Sequence, residues 1–329
     1  MTKTYTPQSL SWLSLILNER FGLDFNISLE ESSLIMFLKK DDAKKILFPI
    51  ITDSFFINSS NAPCTTWNPQ DEGFISPLNI SLPAPCVETL PSPLIEIKEN
   101  LAIINYDILG LAYWMLNRIE EIGRTDLDNH NRFPAVNSHA FKHNYLERPI
   151  VDEWLNILGQ VIQKIWPEAE LKKQKFSMKV SHDVDQPSLY GFKPWKTIIR
   201  MMAGHLLKRH DIKAFFQAPY IKITTNKKLH KKDPYNTFDQ IMDISEKYNL
   251  TSAFYFICGR TSNNDTDYEI EAPIMQELLQ RIHSRGHEIG LHPSYGTFQT
   301  PELIKNEAER LRAACKMAGT KQKNYGGRM

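Results

Sequence analysis

Apolar positions in the first hundred residues come in short bursts separated by polar or proline-rich stretches. SLIMFLK (33–39), KKILFPI (44–50) and SFFIN (54–58) are dense in Ile, Leu and Phe and predict three short β-strands. Pro77, Pro83, Pro85, Pro91 and Pro93 then interrupt any regular pattern and predict an extended loop. LIEIKENLAIIN (94–105) alternates about Glu99 and Asn100 as a hairpin would. After residue 105 the spacing becomes helical. DILGLAYWMLNRIEEIG (107–123) and PIVDEWLNILGQVIQKIW (149–166) predict two helices, the second opening on Pro149 in a first-turn position that suits proline. The polar loop RTDLDNHNRF (124–133) separates them. These patterns predict a small α+β domain over 1–105 and a helical connecting region over 106–174, packed on the domain that follows.

From residue 175 the pattern alternates strand and helix. KFSMKV (175–180), TSAFYFICG (251–259) and HEIGLH (287–292) predict strands. TFDQIMDISEKYN (237–249), PIMQELLQRIHSRG (273–286) and PELIKNEAERLRAACKMAG (301–319) predict helices, the last two stopping at Gly286 and Gly319. Repeated β-α units predict a parallel sheet or a (β/α) barrel over 175–329, with function on loops at the carboxyl ends of strands. SHDVD and LHPSYG both fall at such ends.

Composition narrows the partners. With 39 Lys and Arg against 38 Asp and Glu, the net charge of +1 provides no global attraction to nucleic acid or membrane. Charge is local: residues 191–232 hold eleven Lys and Arg against the single acid Asp211. Within that stretch PWKTIIRMMAGHLLKRH (194–210) sets Trp195, Ile198, Ile199, Met202 and Leu206 on one helical face, a pattern that suits contact with an anionic surface or a helix docked with its basic side in solvent. Cys64, Cys86, Cys258 and Cys315 form no C-x-x-C pair, which predicts reduced thiols and a cytoplasmic setting rather than a disulfide scaffold or zinc finger. The first 22 residues read as an amphipathic helix rather than a signal peptide, and no window approaches the roughly 20 apolar residues of a membrane span.

Candidate chemistry lies in SHDVDQP (181–187). Alternation along a strand points Asp183 and Asp185 the same way and Val184 the other. Two carboxylates this close stay ionised together when a cation or a donor sits between them, and a divalent metal with one ligating and one proton-accepting carboxylate satisfies that need. GHEIGLHPSYG supplies two histidines. Strand alternation places them on opposite faces, so His292, at the carboxyl end, is the candidate ligand and His287 is structural. Asp126, Asp128 and His130 resemble ligands only superficially and read as a solvated loop.

SHDVD followed about a hundred residues later by GHEIGLHPSY resembles the first two motifs of the NodB-homology polysaccharide deacetylases, carbohydrate esterase family 4, in the branch with a D-x-D first motif and an H-P-S-Y second motif. DPYNTFDQIMDISEKYNLTSAFYFI and the upstream RFPAVNSHAFKHNYLERPIVDEWL resemble the same branch and the uncharacterised domain that precedes it. The resemblance implies a distorted (β/α) barrel, incomplete at its carboxyl end because the family continues through further β-α units, holding a divalent metal, usually zinc. It implies removal of acetyl groups from N-acetylated sugars, with a glycan as substrate. By that likeness Asp183 is the base that deprotonates the metal-bound water, Asp185 and His292 are metal ligands, and Arg328 is the arginine that orients the base. The family's second metal histidine falls at Gly296 here, and His182 fills that gap only if the backbone turns it inward. The competing expectation is a catalytically silent module that binds a carbohydrate or a protein.

Overall fold

A computed structural model describes residues 5–50, 53–262 and 265–328, apart from the side chain of residue 299. Residues 1–4 of the expected amino-terminal helix and Met329 lie outside the described residues. The chain divides into two compact units, one through Lys175 and one from Phe176.

In the first unit, α1 (Pro7–Phe21) is fixed at both ends. Thr6 and Ser9 cap each other's backbone N–H groups, and Gly22 takes a left-handed φ of 73° so that its N–H reaches Asn18 O. Leu13, Leu17 and Phe21 put its apolar side into the core. The strands β1 (Phe25–Glu30), β2 (Ser33–Leu38) and β3 (Asp41–Pro49) form an antiparallel meander. SFFIN is not a strand but a 3-10 turn over Ser54–Phe56 whose two phenylalanines are buried anchors. The proline-rich stretch is not all loop either. β4 (Cys64–Trp67) pairs with β5 (Leu82–Pro85), a two-stranded sheet in which every strand is an edge and proline is tolerated. The predicted hairpin is present as β6 (Ile95–Lys98) and β7 (Leu101–Ile104), and the larger sheet runs β1-β2-β3-β7-β6 with β3 and β7 parallel.

The helix expected over 107–123 ends early. α2 (Ile108–Leu116) opens on the Asp107 cap, and Arg118, with φ at 53°, turns the chain into a short 3-10 segment. A single turn, α3 (His139–Lys142), precedes α4 (Ile150–Ile165), whose Trp154 stacks on Trp67 with ring centroids 5.4 Å apart. One continuous apolar core, from Tyr5 to Trp166, holds this unit together.

The second unit contains β8 (Val180–Val184), α5 (Trp195–Leu207), α6 (Ile212–Thr224), α7 (Phe238–Lys247), β9 (Ser252–Ile257), α8 (Pro273–Ser284), β10 (Glu288–His292) and α9 (Pro301–Met317). The strand expected over 175–180 is displaced: pairing begins at Val180 opposite Ser252, where β9 begins, so SHDV lies inside the strand. All three strands are parallel in the order β10-β9-β8, and Gly327 adds an isolated parallel bridge to Leu291.

The (β/α) barrel expected for this unit is therefore not what the chain forms. The sheets of the described residues have five, two and three strands, and none closes on itself. Successive strands rotate by only about 20 to 25°, and closure takes about eight strands. The protein is a mixed α/β chain with three open sheets. In the last of them the register sets Val184, Phe256 and Leu291 on one buried face against the helices, and Asp183, Tyr255 and Gly290 on the other.

Candidate functional site

The open face of the parallel sheet collects the residues that sequence singled out. Asp183 Oδ2 lies 3.6 Å from Arg328 Nε, and Arg328 Nη1 donates to Ser181 Oγ at 2.7 Å. Asp185 Oδ1 lies 3.7 Å from His292 Nε2. His292 Nδ1 faces its neighbour's carbonyl, Pro293 O, at 3.1 Å, which leaves Nε2 directed at the carboxylate. Two carboxylates are thus each matched to one basic partner.

Arg328 reaches β8 from the far side of the sheet. Its N–H donates to Leu291 O on β10, while its guanidinium meets Ser181 and Asp183 on β8. Flat strands about 4.8 Å apart would put three intervals, about 14 Å, between those positions, beyond the span of an arginine side chain. The face is therefore concave. Tyr255 occupies the middle of it: a Cβ built on Gly290 would lie 2.3 Å from its ring, and one on Gly326 would lie 3.0 Å from its hydroxyl. Glycine at 290 and 326 makes room for the ring.

His182 turns the other way, as alternation requires. Its Nε2 lies 3.2 Å from Ser252 Oγ, its ring packs 5.1 Å from Phe254, and burial pushes its pKa down. It does not stand in for the ligand missing at Gly296. Position 296 is crowded: a Cβ there would lie 3.0 Å from Thr261 Cβ, so a side chain needs Thr261 to shift, and Gly296 N donates to Thr261 Oγ1 at 2.7 Å. His287 is buried, and its Nδ1 accepts the Ser252 N–H at 3.1 Å, a structural role. In the first unit Asp126 pairs with Arg124 at 2.6 Å, and Asp128 accepts the N–H groups of His130 and Arg132 within its own loop.

Do these residues suit a metal? Two donors about 2.0 to 2.1 Å from a tetrahedral ion lie about 3.3 Å apart, close to the observed separation of Asp185 and His292. The pair fits two positions of a shell. Among the described residues no group of three His, Cys, Asp or Glu side chains is placed to hold an ion.

Sequence reasoning missed the residues that hold this site in shape. Tyr268, buried, donates from its hydroxyl to Val184 O at 3.1 Å and accepts Ile257 N–H at 2.9 Å, tying together the carboxyl ends of β8 and β9. Glu307, buried on α9, accepts the Ser294 N–H at 3.0 Å and the Ser294 hydroxyl, fixing the loop just after His292. Asp233 accepts from Ser188 Oγ at 2.6 Å and Leu189 N at 2.9 Å, fixing the loop that follows the D-x-D. Ser181 alone had a local signal, since alternation places 181, 183 and 185 on one side. An open pocket of about 460 Å³ is bordered by the two aspartates but also by His182, Val184, Tyr235 and Phe254, and it includes neither His292 nor Arg328, so it lies toward the other side of β8 from the paired groups.

The four cysteines are free, and burial pushes the thiols of Cys86, Cys258 and Cys315 up. Among the described residues no helix is long and apolar enough to cross a membrane.

Comparison with known proteins adds a family but no activity. No curated protein and no solved structure matches the chain. One family model matches residues 1–167, which lie within the first unit and upstream of the carboxylate site, and its description is Family of unknown function (DUF7033). With half of its length matched by that model, the chain belongs to the DUF7033 family.

Proposed function

We propose that the second unit is a metal-dependent hydrolase that removes acetyl groups from an N-acetylated sugar or polysaccharide precursor in the cytoplasm. The observation that carries this reading is the pairing on one concave face: Asp183 with Arg328 and Asp185 with His292. These pairs give the two carboxylates different tasks. Asp183, beside a guanidinium that is itself held by Ser181, is oriented to take the proton from an attacking water. Asp185 and His292 are the residues that would hold the ion. When bound, a divalent metal would supply Lewis acidity, polarising the acetamide carbonyl and stabilising the charge that develops on its oxygen. Free thiols suit the reducing cytoplasm.

The resemblance of SHDVD and GHEIGLHPSY to the NodB-homology deacetylases supports the same chemistry. A second reading, a silent carbohydrate-binding or protein-interaction module, is favoured by one feature: Gly296 is packed against Thr261 where those enzymes have a second histidine.

Acetate release from N-acetylated oligosaccharides by the full chain, supplied with zinc, separates the two. The enzyme reading expects acetate, and expects Asp183→Asn to lower the rate by about 10²- to 10⁴-fold, the usual worth of a general base. Glycan binding without acetate, under every divalent metal tried, would overturn it in favour of the binding module.

A further inference from the structure

The helical hairpin α5–α6 leaves a large apolar surface uncovered. On α6, Ile212, Phe216, Tyr220 and Ile223 recur at helical spacing along one face, and each is more than half exposed. On α5, Trp195, Ile199 and Leu206 form an exposed stripe of the same kind. The two helices meet through a small core of their own, Tyr190, Ile198, Ala218 and Ile221, so the exposed stripes are not what joins them. Exposed apolar stripes of this kind mark an interaction site.

Charge identifies the occupant. Lys196, Arg200, Lys208, Arg209 and Lys213 are exposed and form no ion pair among the described residues, and residues 191–232 hold eleven cations against the one acid Asp211. On α5 the sector of Lys196 and Arg200 adjoins that of Trp195, Ile199 and Leu206. Cations beside aliphatic and aromatic side chains on a helix match the layering of headgroup over acyl chain at a bilayer surface. A nucleic acid or acidic glycan would use the cations and leave Ile199, Ile212 and Ile223 in water.

We propose that the α5–α6 hairpin docks this protein on the surface of an anionic phospholipid bilayer, its apolar stripes entering the headgroup boundary and its cations meeting the lipid phosphates. The test is sedimentation of the full-length protein with phosphatidylcholine vesicles, with and without phosphatidylglycerol. Binding is expected only to the anionic vesicles and is expected to weaken with salt. Reversing Lys196 and Arg200 to Glu should weaken it by at least roughly 30-fold, following about 1 kcal/mol for each surface cation lost. Phe216→Ser with Ile223→Ser should weaken it at least tenfold while the thermal melt stays unchanged. In the parent protein, brominated lipid should quench the fluorescence that Trp195→Phe removes. Failure to sediment with anionic vesicles would overturn the proposal. So would binding to vesicles and heparin alike that ignores the Phe216 and Ile223 changes, or self-association that buries the stripe before lipid is added.

Discussion

One hydroxyl at Tyr268 serves two strand ends, and its loss leaves two buried backbone groups without a partner. Tyr268→Phe keeps the ring and removes only that oxygen, so the expected cost is about 1 to 3 kcal/mol. Urea unfolding followed by far-ultraviolet circular dichroism measures it; an unchanged midpoint would show that water replaces the hydroxyl. The contrast with Asp183 explains what could be read in advance. Asp183, Asp185 and Ser181 share a face because strands alternate, a rule written into three adjacent letters. His292 follows from the same alternation at the carboxyl end of its strand, while Arg328 comes to them only through the family likeness. Tyr268, Glu307 and Asp233 act through contacts made 11 to 84 positions away, and no local period announces them.

Elements were legible where one period ran long enough. α4, α7, α8, α9 and the core of β9 follow their apolar spacing closely, and Gly286 and Gly319 stop their helices in left-handed conformations with φ of 80° and 74°. Misreadings arose where tertiary pairing overrode local pattern. β5 carries two prolines and still pairs, because in a two-stranded sheet each strand has an unpaired side that a proline nitrogen can face, and Trp154 Nε1–H donates to Pro83 O at 2.8 Å. KFSMKV has strand composition, but β9 offers no partner before Ser252. α6 went unnoticed because charge bias dominated its neighbourhood and Pro219 sits inside it. Element ends carry a test of their own. Gly22 closes α1 at a φ of 73°, and a Cβ there would stand 2.9 Å from Lys172 Cβ. Gly22→Ala should therefore cost about 1 to 2 kcal/mol in unfolding free energy, through left-handed strain and the shift of Lys172. A cost near zero by chemical denaturation would show that the cap can adopt another conformation.

At the scale of the whole chain, the two units have separate cores, and five of the six tryptophans, all but Trp195, lie in the first. Intrinsic fluorescence therefore reports chiefly on the first unit, whose stability two buried groups bend with pH in opposite senses. Burial pushes Asp107 up to about 6 from 3.8, so as pH rises through that range the unfolded chain releases its proton first and stability falls. Burial, with His143 nearby, pushes His139 down to about 4 from 6.5, so as pH falls through that range the unfolded chain takes up a proton first and stability again falls. Between about pH 4 and 6 the two slopes oppose each other. Asp107→Asn removes one of them, and the unfolding free energy of the variant should climb with pH by about 2 to 3 kcal/mol more than the parent's over that interval, at about 1.4 kcal/mol per pKa unit. Parallel curves for the two proteins, measured by fluorescence in urea, would contradict the Asp107 assignment. Length also acts through time. Arg328 meets Ser181 across 147 positions, so at about 5 to 20 residues per second the ribosome needs roughly 7 to 30 s to pass from the one to the other. Through that interval Asp183 emerges with no guanidinium to answer it, and the site is born open, to be closed only when Arg328 has been translated.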